Sequence, residues 1–162
     1  LIGQKYSQVL RILLPMLSKE PLPTWVITGS LGFALQGMAI DVRDVDLQTD
    51  ADGAYEIERR LSRYSVRRVA FSGTDRIRSH FGALEIDGIQ VEIMGALQKF
   101  LPEGRWEEPV DVSSHRRWVD WEGLRLPVLS IAYELQAYTI MGRTGRADRL
   151  KQWLEDGSNG QH

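Results

Sequence analysis

Apolar residues recur along this chain with two different periods, and the switches between them mark out its elements. In "YSQVLRILLPML", Tyr6 to Leu17, they fall at helical spacing, with Pro15 expected to limit the end. "EPLP" then breaks the chain before "TWVIT", a short β-rich run read as a buried strand. "LGFALQGM" places Leu31, Ala34, Leu35 and Met38 on one stripe, a helix that Ser30 is expected to cap and Gly37 to keep short. Period two returns in "DVDLQTD", with Val45 and Leu47 on one face and Asp44, Asp46 and Gln48 on the other.

"ADGAYEIERRLSRY" is again amphipathic and helical. Three β-type runs follow, "SVRRVAF", "RIRSHFGALEI" and "IQVEIMG", and Asp87-Gly88 between the last two is a hairpin signal. "LPEGRWEEPVD" reads as a loop and "HRRWVDWEGLRLPVL" as a second hairpin turning at Glu122-Gly123. "SIAYELQAYTIMG" and "RADRLKQWLED" are two helices split by "RTG", and residues 156–162 are expected to be a disordered tail. Helices and strands interleave, but hairpins dominate the middle. The prediction is one α/β (α+β) domain, residues 1–155, with a mixed sheet flanked by helices rather than a doubly wound parallel one.

Composition narrows the function classes. The chain has 162 residues, 43% hydrophobic and 26% charged, an ordinary balance for a soluble domain with a real core. It has no cysteine, which excludes disulfides, thiolate metal sites and a cysteine nucleophile. A net charge of -2 gives no global attraction to polyanions, so nucleic acid is not the favoured partner. No apolar run reaches the ~18 residues of a membrane span, and no leader pattern is visible, so a cytoplasmic protein without membrane partners is expected.

Candidate chemistry begins with Asp44 and Asp46. Residues two apart on a strand project to one side, about 6.6 Å apart at ~3.3 Å per residue. Paired carboxylates at that spacing can flank a hard cation such as Mg²⁺, and they repel unless something compensates. In "GIQVEIMG", Glu92 is a lone charge among Val91 and Ile93. If its strand lies beside "DVDL", three carboxylates meet, a set suited to two metal ions that clamp a triphosphate. Gly29-Ser30, ending an apolar run, would let phosphate approach the backbone closely. Taken singly, each has a plain alternative: an exposed strand face, an edge-strand acid, a turn with a cap.

In combination, "ITGS", "DVDL" and "VEI" stand in an order that resembles the nucleotidyltransferase superfamily typified by DNA polymerase beta. Residues 31–43 between the first two motifs leave room for one short helix and a turn. "VRDVDLQTD" is similar to the "RDIDL" segment of lincosamide nucleotidyltransferases and related small bacterial enzymes. "LRLPVLSIAYELQAYTIMGRTGRADRL" resembles the hairpin and two-helix tail of that group, so the likeness spans roughly Thr24 to Glu155. It implies Mg²⁺-dependent transfer of a nucleoside monophosphate from an NTP to an acceptor hydroxyl, on a small molecule, a protein or an RNA end. Gly29, Ser30 and Arg43 would bind the nucleotide, Asp44 and Asp46 the metals (two Mg²⁺ ions), and Glu92 would serve as metal ligand or general base. A homodimer is compatible with it.

The tail departs from the family pattern. A lysine frequent in the first tail helix is Gln136 here, and a Lys-Asp pair in the second reads Ala147-Asp148, with Arg143, Arg146 and Arg149 nearby. The loss motivates an alternative: an inactive, regulatory or antitoxin-like binding module. A metal-dependent nuclease on the same carboxylates is a third reading, against which stands the lack of an extended basic groove. Arg76, Arg78 and His80, two apart in "RIRSH", and Arg146 are candidate substrate contacts, with a solvated face as the plain alternative for the strand residues. Arg59, Arg60, Arg63, Arg67 and Arg68 read as a solvated surface, and Trp106, Trp118 and Trp121 as packing.

Overall fold

The computed structural model describes residues 2–159. Seven strands form one sheet in the order β3-β4-β5-β2-β1-β7-β6. They are β1 (Trp25–Thr28), β2 (Val45–Thr49), β3 (Ser65–Gly73), β4 (Ile77–Ile86), β5 (Ile89–Lys99), β6 (Arg116–Trp121) and β7 (Leu124–Leu129). The helices are α1 (Gln4–Leu17), α2 (Gly29–Leu35), α3 (Ala51–Arg60), α4 (Ile131–Ile140) and α5 (Thr144–Asn159). The β2–β5 and β1–β7 pairs are parallel, whereas the other four pairs are antiparallel. The sheet is therefore mixed, as the sequence pattern predicts.

Turn chemistry sets two of its registers. Ile86 pairs with Ile89 and Trp121 with Leu124, so each hairpin turns on two residues. Asp87-Gly88 and Glu122-Gly123 all have positive φ, the primed turn whose twist matches that of the strands. A bulge between the Arg78 and His80 pairs, with Ala96 at φ 53°, breaks the alternation of the β4–β5 ribbon.

One face of the sheet carries the main core. Val45, Leu47, Val91 and Ile93 meet Leu10 and Leu13 of α1, Leu31 of α2 and Ile57 of α3. Asp50 caps α3, its Oδ1 accepting from Gly53 N at 2.6 Å. Arg60 of α3 donates to the carbonyls of Met16, Lys19 and Pro21, tying α3 to the end of α1. α4 and α5 belong with the opposite face: Tyr133 packs with Val26, Leu97 and Leu129, and Leu150 with Phe33 and Ile40.

Three local expectations are corrected. Thr28, not Ser30, is the N-cap of α2, with no side-chain cap bond, because the helix begins at Gly29 itself. Pro15 lies inside α1, which runs on to Leu17; in the last turn of a helix the missing N–H forfeits only one bond. α5 extends through Asn159, so the segment expected to be a disordered tail is helical over residues 156–159, and its remainder lies outside the described residues. Among those residues no helix is long and apolar enough to cross a membrane.

Candidate active site

Register, rather than sequence proximity, gathers the acids. β2 runs parallel to β5 with Asp46 paired to Glu92 and Gln48 to Met94, while β1 sets Thr28 opposite Asp46. Asp44 precedes β2 by one residue and turns toward the same place. Ligand oxygens of Asp44, Asp46 and Glu92 all lie within 4.8 Å of one another, the one such group among the described residues. All three side chains are half-buried.

Crowding shows in their electrostatics. Burial, then the charges of Asp44 and Glu92, push the Asp46 carboxyl up to about 7, with Arg146 pulling the other way. Burial and Asp44 likewise raise Glu92, partly offset by Arg67. Three hard oxygen donors converging at this distance fit a cation such as Mg²⁺, which would relieve the repulsion.

Gly29 makes the approach possible. Its φ is 70°, a conformation that side chains rarely adopt, and a Cβ there would stand 2.6 Å from Asp46 Oδ2. Only a glycine lets the β1–α2 turn lie directly against the carboxylate.

Two cavities open on either side of Asp46. The outer one, about 640 Å³, is lined by Gly29, Ser30, Arg43, Asp44 and Asp46, and by Arg143, Arg146 and Arg149 across from them. Arg146 lies over the rings of Phe33 and Tyr138, and Arg149 donates to Ala39 O at 2.5 Å. The inner one, about 220 Å³, lies between the sheet and α4 and is lined by Asp46, Gln48, Glu92, Lys99, Tyr133 and Glu134 among others. Asp44 thus faces one cavity, Glu92 the other, and Asp46 both.

Gly29, Ser30, Arg43 and Arg146 accordingly lie with the carboxylates. Arg76, Arg78 and His80 line neither cavity. Arg76 borders a separate pocket with Phe100 and Trp106. The Arg78 guanidinium stacks 4.1 Å above the Trp106 ring and bonds Gln98, and His80 Nδ1 meets the Tyr55 hydroxyl at 2.9 Å. Arg76 precedes the start of β4 at Ile77, and the partners of Arg78 and His80 lie outside both cavities.

Sequence reasoning missed Glu134 and Tyr138. Glu134 is 3% exposed, and its Oε1 accepts from Thr28 Oγ1 and from Gly29 N, the latter at 3.3 Å. Burial lifts its carboxyl to about 8, against the pull of the Thr28 and Gly29 hydrogen bonds; Asp46 adds to the rise and Arg146 opposes it. Its signal was an acid on the stripe of α4 that includes Ile131 and Tyr138, three and four residues away. Gln136, the position that the family pattern singles out on this helix, is exposed.

The fold and this cluster define a nucleotidyltransferase. The chain matches the family model described as aminoglycoside-2''-adenylyltransferase over residues 9–153. It therefore belongs to that family. A candidate nucleotidyltransferase of Thermotoga maritima is 49% identical, with a TM-score of 0.84 over 96% of each chain. The lincosamide antibiotic adenylyltransferase LnuA, in its lincomycin-bound structure, superposes with a TM-score of 0.55 at 14% identity, over 93% of this chain and 97% of its own. ANT(2'')-Ia in complex with adenylyl-2''-tobramycin does so with 0.58 at 14% identity, over 93% and 90%. The last two likenesses are of fold. No curated protein matches the chain.

Proposed function

We propose that the protein moves a nucleoside monophosphate from an NTP to the hydroxyl of a small acceptor, using Mg²⁺ held by Asp44, Asp46 and Glu92. The observation that carries this is the meeting of the three carboxylates within 4.8 Å, at the boundary of two cavities of opposite character. The outer cavity suits the donor. Arg143, Arg146 and Arg149 offer positive charge to the triphosphate opposite Ser30, and Arg43 stands at the edge.

When bound, Mg²⁺ would supply neutralisation of the triphosphate and of the departing pyrophosphate. The chain's own part is placement. Gly29 lets Asp46 sit against the turn, Glu134 fixes that turn through Thr28 and Gly29, and Glu92 faces whatever enters the inner cavity. Two structural neighbours are adenylyltransferases seen with lincomycin or with adenylyl-tobramycin, which favours ATP as donor and a small molecule as acceptor. The arginines facing the carboxylates weigh against an inactive binding module, since they supply the cations that the missing lysines would have given.

Calorimetric titration with each NTP, with and without Mg²⁺, tests the reading. Binding of at least one NTP that requires the metal, and that Asp44→Asn or Asp46→Asn abolishes, is expected. Metal-independent binding, or none for any NTP, would refute it.

A further inference from the structure

The inner cavity has features that the donor side does not need. Gln48, 6% exposed, and Glu134, 3% exposed, both line it. Gln48 Oε1 and Glu134 Oε2 are buried and have no hydrogen-bond partner among the described residues. Buried polar atoms without partners are rare in folded proteins, and two on the wall of one cavity point to hydrogen-bonding groups brought by a bound molecule.

Size and lining narrow the class. About 220 Å³ is below the roughly 300–1,000 Å³ of sites for drug-sized ligands, so the cavity admits one ring rather than several. Met94, Leu97 and Leu129 give it apolar walls, and the Tyr133 ring, stacked on His115 at 4.0 Å, gives it an aromatic one. Lys99 also lines it, its ammonium 2.7 Å from the Glu107 carboxylate and donating to the Tyr133 hydroxyl. Arg143 adds a second cation. With Asp46 and Glu92 committed to metal, no anionic excess is left to draw in an ammonium group.

We propose that the inner cavity is the acceptor subsite and takes one neutral, hydroxylated ring of sugar or cyclitol type. Its hydroxyls hydrogen-bond to Gln48 Oε1 and Glu134 Oε2 while its C–H face lies on the apolar and aromatic walls. The inference rests on the nucleotidyl-transfer reading, because Asp46 and Glu92 place the reacting hydroxyl beside the donor cavity. There the hydroxyl oxygen forms the new bond to the α-phosphorus, the bond from that phosphorus to pyrophosphate breaks, and pyrophosphate leaves with the electron pair. The hydroxyl proton passes to solvent.

Methyl-¹³C methionine NMR reads the site directly. Met94 and Met141 line the cavity, whereas Met16 and Met38 lie elsewhere and report the fold. Myo-inositol is expected to shift Met94 and Met141 and to leave Met16 and Met38 unmoved. Gln48→Leu should weaken that binding about tenfold, and Met94→Trp, which fills the cavity, should abolish the Met141 shift. Glucosamine and tobramycin, a cationic ring and a cationic multi-ring compound, should bind there more weakly than inositol. No inositol shift at Met94, or tighter binding of either amine, overturns the proposal. A calorimetric MgATP titration of the same wild-type sample separates the two failures. MgATP binding without an inositol shift sinks the acceptor subsite alone, and absence of MgATP binding sinks the transfer reading beneath it.

Discussion

The strands and the C-terminal helix pair serve the same site by different physics. β2 and β5 deliver carboxylates through strict alternation, so one neighbour of each acid is core and the acid itself is surface: Val45 and Leu47 are fully buried on either side of half-buried Asp46. α4 delivers Glu134 into the interior, where it takes the place of an apolar residue and holds the β1–α2 turn. A strand separates chemistry from stability residue by residue. The helix combines them in one side chain.

The sharpest break in that comparison is on β2. Asp46→Asn or Asp44→Asn should lower turnover by on the order of a thousandfold or more, with circular dichroism unchanged. Leu47→Ala, one residue along and on the other face, should instead lower stability by about 2–5 kcal/mol in urea unfolding, with NTP affinity kept at low temperature. A Leu47 variant that is stable but inactive would dissolve the distinction.

Gly29 is where the two regions touch. Gly29→Ala forces a residue at φ 70° and a contact of 2.6 Å with Asp46 Oδ2. A loss of roughly 1–3 kcal/mol in stability is expected, together with weaker MgATP binding, measurable on one sample by thermal unfolding and calorimetry.

The helix side is read through pH. The folded carboxyl of Glu134 is raised from 4.5 to about 8, so between those values the native state holds a proton that the unfolded chain has released. Stability is therefore present in full below about pH 4.5 and declines as pH rises toward 8. Asp46, raised from 3.8 to about 7, adds a decline in the same direction. Urea midpoints without Mg²⁺ should fall across this window in the wild type and fall less in Glu134→Gln, whose side chain is neutral throughout. Parallel profiles would remove Glu134 from the account. The smallest effect belongs to His80→Ala, away from both cavities, with a rate within about twofold of wild type.

This contrast also explains what the sequence could disclose. Asp44, Asp46 and Glu92 were legible because a period of two assigns each acid a side, and two strands sharing that pattern need only be neighbours. Both hairpin turns were legible because Asp-Gly and Glu-Gly occur where alternation reverses. Glu134 was not, since a helical stripe tolerates one acid without changing its period, and only the partner across the sheet, Thr28, gives it a purpose. Ser30 was misread as a cap because a glycine able to start a helix at φ 70° shifts the boundary by two residues. The fate of Arg76, Arg78 and His80 was hidden too, because their spacing in sequence tells neither that β4 begins only at Ile77 nor that Trp106, Gln98 and Tyr55 engage the last two.

Paramagnetic Mn²⁺ in place of Mg²⁺ locates the metal most directly. Titrated into methyl-labelled protein with ATP, it should broaden the Met94 resonance, whose strand carries Glu92 two residues away, and leave Met16 on α1 sharp. Asp46→Asn and Glu92→Gln should each suppress the broadening. Equal broadening in those variants, or broadening centred on any other methionine, would contradict a metal held by the three carboxylates.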